Sequence, residues 1–140
     1  MGLIVVDASV AVKWVLQEFD SSVAVALLTG VDKPRAPDLL TVEVAGAIAR
    51  AFRNRRVDVD EVTAALDAWS DRLRQRSLEL VPNDLYLRRA VEISCALLHP
   101  LSDCLYLALA ERLDADLVTT ALTLRRRAAP VWPRVRLLGA

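Results

Sequence analysis

Apolar residues fall along this chain in two rhythms. Short apolar or β-rich runs, LIVV at 3–6, LELV at 78–81, LVT at 117–119 and VRLL at 135–138, read as strands, with a weaker one at 35–36 just before Pro37. Between them apolar residues recur every three or four positions, which predicts helices. The helical segments are 9–16, 20–29, 39–55, one opening at Asp58 or Asp60 and reaching about 75, then 84–98, 102–113 and 122–129. In the third, positions 42, 45, 48, 49 and 52 mark an apolar helical face; in the fourth, 62, 65, 66, 69 and 73 do so. Pro100 separates two of these helices, and Pro130 stops the last.

Strands alternating with helices imply parallel pairing through crossovers, with helices on both faces of one sheet. The expected fold is therefore a three-layer α/β/α domain with a central, mainly parallel sheet of four or five strands. A chain of 140 residues is most simply one such domain, 1–140. In sheets of this kind ligands bind beyond the carboxyl ends of the strands, where strand order switches. The residues just past those ends carry the functional question.

Composition narrows the classes. Apolar residues make up 54% of the chain, and 18 basic residues balance 18 acidic ones. That excludes a disordered chain and argues against a generally basic nucleic-acid binder, while leaving local patches open. All the basic residues but Lys13 and Lys33 are Arg, whose forked donors suit phosphate or carboxylate. Cys95 and Cys104 stand in apolar surroundings without a C-x-x-C, and one His99 cannot complete a zinc set, so buried free thiols in a reducing cytosol are expected. No apolar run is long enough to span a bilayer, and the N-terminus lacks a charged leader region, so a cytoplasmic protein without a membrane span is expected.

Three acids stand out. Asp7 directly follows LIVV, at the carboxyl end of a central strand; its structural alternative is a helix N-cap. Asp103, in HPLSDCLYLALAERL, lies in the first turn of a helix capped by Ser102, where the helix dipole favours an acid anyway. Glu43 sits in LLTVEVAGAIA, nearly alone among apolar neighbours, with Gly46, Ala47 and Arg50 along its own stripe. Small residues one turn on leave space beside its carboxylate; the plain alternative is a solvated Glu paired with Arg50. Carboxylates held together resist ionising, and a hard divalent cation removes that penalty. Such an ion acidifies an attacking water and stabilises charge in an in-line phosphoryl displacement. With Gly2, Gly30, Gly46 and Gly139 the sole glycines, the chain has neither a G-x-G-x-x-G nor a P-loop as a rival phosphate cradle.

Taken together, VVDASVAVKW, APDLLTVEVAGAIAR and HPLSDCLYLALAERLDADLVTTA resemble, in order and spacing, the PIN domain, and within it the VapC-like toxins of bacterial toxin–antitoxin pairs. The resemblance implies a Mg²⁺- or Mn²⁺-dependent endoribonuclease, commonly a homodimer, held inactive by a small antitoxin protein. By position, Asp7, Glu43 and Asp103 match the family's first three acids, as catalytic residues and metal ligands. Ser9 matches a hydroxyl position beside the site, and Thr119 matches the threonine of the family's T-x-D.

One position departs. The usual fourth acid falls at 121, and this chain has Ala121. Asp114 and Asp116 precede the strand, leaving Asp116 ~10 Å from its far end at ~3.3 Å per residue, so neither replaces it. Thr120 and Thr123 supply no charge. Gly46 also departs, since the family often has Asn there. Three carboxylates still suffice for one ion, so a weakened nuclease is expected; a catalytically impaired module that binds antitoxin or RNA without cleaving is the alternative.

Lys13, Arg50 and Arg125 are the expected RNA-phosphate contacts, drawn from the first helix, from the cluster Arg50, Arg53, Arg55 and Arg56, and from the run Arg125 to Arg127. Their alternative is helix C-terminal charge on a solvated surface. Asp58, Asp60 and Glu61 read as a capped helix start, and Trp14, Trp69, Tyr86 and Trp132 as core positions. A phosphatase or receiver-like domain using Asp7 as nucleophile shares strand-end acids but lacks a suitably placed strand-end Lys.

Overall fold

The computed structural model describes residues 2–140. Its sheet has five strands: β1 (Ile4–Val6), β2 (Arg35–Pro37), β3 (Glu79–Val81), β4 (Asp116–Thr119) and β5 (Val135–Leu137). They lie in the order β3-β2-β1-β4-β5, and every neighbouring pair is parallel. β1 is buried at all three positions, as a strand covered on both faces must be. The chain runs outward from β1 to β2 and β3, then recrosses to β4 and β5. Strand order therefore switches between β1 and β4, and the crevice at their carboxyl ends is the place for a ligand.

Among the described residues seven α-helices cover the sheet in a three-layer α/β/α arrangement: α1 (Ala8–Ala11), α2 (Ser21–Ala26), α3 (Leu40–Arg53), α4 (Val59–Arg74), α5 (Leu87–Leu97), α6 (Leu101–Leu113) and α7 (Leu122–Ala128). The expected helix 9–16 is α1 followed by a 3₁₀ turn at Val12–Trp14, and 20–29 is α2 followed by one at Leu27–Thr29. Every residue of α6 from Cys104 to Ala110 is buried, and the helix packs against β1, β2, β4 and α5. α4 begins with a reciprocal cap: Asp58 Oδ1 accepts from Glu61 N at 2.8 Å, and Glu61 Oε1 accepts from Asp58 N at 3.1 Å. Among the described residues no single helix is long and apolar enough to cross a membrane.

The weak strand at 35–36 extends to Pro37 and lies inside the sheet. Proline fits there because β2 pairs with β1 only at Arg35, so the missing N–H falls beyond that ladder. Three expectations are corrected. α3 does not bury the face at 42, 45, 48, 49 and 52: it buries Leu40, Val44, Ile48 and Ala51, and leaves Val42 69% exposed. That rotation lets Glu43 and Ala47 border the crevice. α6 starts one residue earlier than its expected cap, with Pro100 as N-cap and Ser102 inside the first turn, because Pro100 O already accepts from Cys104 N. Cys95 is exposed on α5, so of the two free thiols only Cys104 is buried. Trp14, Trp69 and Tyr86 are core residues; Trp132 is half-buried, its indole N–H donating to Ala115 O.

Candidate active site

Asp7 caps α1 and stands at the carboxyl end of β1. Its backbone is extended, and its Oδ1 accepts from Val10 N at 3.3 Å at the start of α1. The same oxygen accepts from Ser9 Oγ at 2.5 Å, and Oδ2 accepts from Thr119 Oγ1 at 2.5 Å. Ser9 Oγ in turn accepts from Thr120 N at 3.0 Å, and Thr119 Oγ1 accepts from Ala121 N at 3.1 Å. Thus the ends of β1 and β4 are laced together around one carboxylate. Asp7 is 7% exposed. Burial raises its pKa, the bonds from Ser9, Thr119 and Val10 oppose this, and the charge of Asp103 adds to the rise.

Glu43 lies half-buried in the first turn of α3, and its Oε1 accepts from Tyr106 Oη at 2.5 Å. Tyr106 belongs to α6, three residues after Asp103, and is itself buried. Its phenol is pushed well above the ordinary range, first by burial and the Glu43 bond, then by the charges of Glu43, Asp7 and Asp103. Of the three acids only Glu43 bonds to this hydroxyl; Asp7 and Asp103 have other partners. Asp103 sits in the first turn of α6, half-exposed, with its Oδ2 2.7 Å from His99 Nε2.

A cleft of about 430 Å³ opens beside these groups. Ser9, Thr120 and Glu43 line it, Gly46 and Ala47 form part of one wall, and Arg50 and Arg56 supply positive charge. A Cβ built on Gly46 meets nothing within 4 Å, so a side chain there would have room.

Lys13 lines the same cleft but is no free cation. Its ammonium lies 2.8 Å from Asp20 Oδ1, which has no other partner among the described residues, and 3.5 Å from Glu18 Oε2, and the side chain is 9% exposed. Burial would lower its pKa, yet the two carboxylates outweigh this and raise it. Arg125 is exposed on α7 and does not line the cleft. Asp116 opens β4 at the sheet's opposite end, bound to Arg134 at 2.8 Å, and Asp114 pairs with the same arginine at 2.7 Å.

Position 121 is the N-cap of α7, with extended backbone and no side-chain cap bond. It caps the helix after β4 as Asp7 caps the helix after β1, but stands two residues past its strand where Asp7 stands one. The absent carboxylate is therefore absent both from the crevice and from the helix start.

Sequence reasoning missed Tyr106, and considered His99 only as a zinc ligand. The available signal was spacing: a hydroxyl three residues after Asp103 in an aliphatic stretch, and an imidazole four before it.

An open parallel sheet with acids gathered at its switch point defines an α/β domain built to act on a ligand at that crevice. The PIN domain family model matches residues 4–128, and the chain belongs to that family. PIN domains are nuclease-type domains, generally metal-dependent ribonucleases. No curated protein matches the chain.

Among the described residues no three His, Cys, Asp or Glu groups stand close enough to enclose a metal ion. The donor chemistry nevertheless fits a hard divalent cation. The groups at the crevice are carboxylate and hydroxyl oxygens, and Asp7 carries a burial penalty that a cation would relieve. An open set also suits Mg²⁺, which takes one or two carboxylates and completes its shell with water and phosphate.

Proposed function

We propose that this protein is a Mg²⁺- or Mn²⁺-dependent endoribonuclease acting as the toxin of a toxin–antitoxin pair. The observation that carries the reading is buried Asp7, held by Ser9 and Thr119 at the β1/β4 switch point, with Glu43 joined through Tyr106 to the helix that carries Asp103. From Asp7, Glu43 and Asp103 one or two carboxylates would hold the ion, with water and phosphate completing its shell, and the ion would supply acidification of the attacking water and charge stabilisation at the phosphoryl group. Ser9 and Thr119 fix both oxygens of Asp7, so its orientation is set before any ligand arrives. Tyr106 holds one oxygen of Glu43, Oε1. Arg50 and Arg56 face the cleft and would place the RNA backbone without reading its bases.

Ala121 favours a second reading, in which the domain binds RNA or an antitoxin without cutting. With one acid fewer, a second ion is held weakly at best, and activity is expected to need more metal than in a four-acid site. The toxin assignment, the antitoxin and a homodimer rest on the family resemblance. Induced expression in a bacterial host tests the toxin reading: growth arrest that Asp103→Asn abolishes supports it, and unimpeded growth with soluble protein present contradicts it.

A further inference from the structure

We infer that His99 is a positioning residue for Asp103, and that it sets how tightly the site binds a divalent cation. This rests on the metal-dependent reading above. His99 lies in the short connection between α5 and α6, and its side chain is 8% exposed. Its main chain is pinned on both sides: His99 N donates to Ser94 O at 3.2 Å, and Ser94 Oγ donates to His99 O at 2.6 Å. The ring therefore leaves a fixed stretch of backbone.

The ring bridges two charged groups. Nε2 lies 2.7 Å from Asp103 Oδ2, and Nδ1 lies 3.5 Å from Arg127 Nη1 on α7. A guanidinium has only donors, so Nδ1 accepts and the ring proton sits on Nε2, donating to Asp103. One carboxylate oxygen is thereby occupied. Oδ1 carries no hydrogen bond among the described residues and remains for a cation. Asp103 is half-exposed and would otherwise be free to turn toward solvent. His99 is too buried to meet a substrate itself, so it acts through Asp103. Groups that orient metal-binding side chains in this way contribute heavily to affinity.

The test is Mn²⁺ binding to the whole chain, read by calorimetry and by the loss of the free-ion electron spin resonance signal, without RNA. His99→Ala is expected to weaken binding by about 10–100-fold, the usual range for such outer groups. His99→Gln, which keeps a donor, recovers most of the loss. His99→Phe, which keeps the ring's bulk without a donor, behaves like His99→Ala and replaces it should that variant not fold. In an Asp103→Asn background the His99 substitution costs nothing further.

Native affinity in a folded His99→Phe, or a loss as large in the Asp103→Asn background, would overturn the inference; a lowered melting temperature with native Mn²⁺ binding would do the same. If the native chain binds no Mn²⁺, the metal-dependent reading falls first and this one with it.

Discussion

Tyr106 Oη donates to Glu43 Oε1 across 2.5 Å, joining α6 to α3 through a phenol that is buried and a carboxylate that borders the cleft. Tyr106→Phe removes the donor and little else, since the ring's volume is kept. The domain is expected to fold normally. Metal affinity should fall about tenfold or less, because a bond to a charged group is worth about 1.5–3 kcal/mol and half-exposed Glu43 regains part of it from water. Glu43→Gln should cost more. Equal Mn²⁺ affinity in Tyr106→Phe and native protein would show that Glu43 needs no holding.

Ala121→Asp makes two separable predictions. The extended backbone at 121 already has N-cap geometry, so an Asp there should stabilise the metal-free fold by about 1 kcal/mol through the start of α7. It should also add a fourth acid at the crevice and tighten Mn²⁺ binding. Thermal melts in EDTA read the first effect and a metal titration the second. Stabilisation without tighter binding would mean that position 121 is a cap only.

The burial of Asp7 gives a pH dependence of definite sign. Its carboxyl is raised in the fold, so the native state holds that proton more tightly than the unfolded chain does. In EDTA the contribution of Asp7 to stability should therefore decline as pH rises from the ordinary aspartate range through the raised value. Asp7→Asn should flatten that decline and stabilise the metal-free protein at neutral pH. Melting temperature against pH, for both proteins, checks it. A native profile that rises across that window and is matched by the variant would contradict the burial argument.

Gly46 lies within α3 with open space around it. Gly46→Ala should raise stability by up to about 1 kcal/mol, the helical cost of glycine, measured by denaturant titration. A destabilised variant would show that the wall of the cleft needs a bare backbone there.

Much of this architecture was legible in the chain, for identifiable reasons. LIVV marked a strand covered on both faces, and Asp7 behind it marked both a cap and the strand end. The acids at 58, 60 and 61 mark the start of α4 but leave the cap open between Asp58 and Asp60; the reciprocal bonds with Glu61 decide for Asp58. The buried face of α3 is not legible because valine and alanine occur around most of the helix, so periodicity alone does not rank 42 against 44; packing on neighbouring elements does. The ion pairs of Lys13, expected as an RNA-phosphate contact, are not visible in the sequence because Glu18 and Asp20 come back to it through a turn rather than a helical spacing. Tyr106 and His99 were hidden because their bonds to Glu43 and Asp103 depend on how α6 meets α3 and α5, which no local pattern encodes.

We propose that three acids at the β1/β4 crevice make this PIN domain a metal-dependent ribonuclease despite Ala121. The most direct test is cleavage of a mixed pool of structured RNA by the purified chain, with Mn²⁺, with Mg²⁺ and with EDTA, beside Asp7→Asn. The account predicts cutting that requires metal and is lost in Asp7→Asn. No cutting by folded native protein at high metal concentration, or cutting that persists in EDTA, would contradict it.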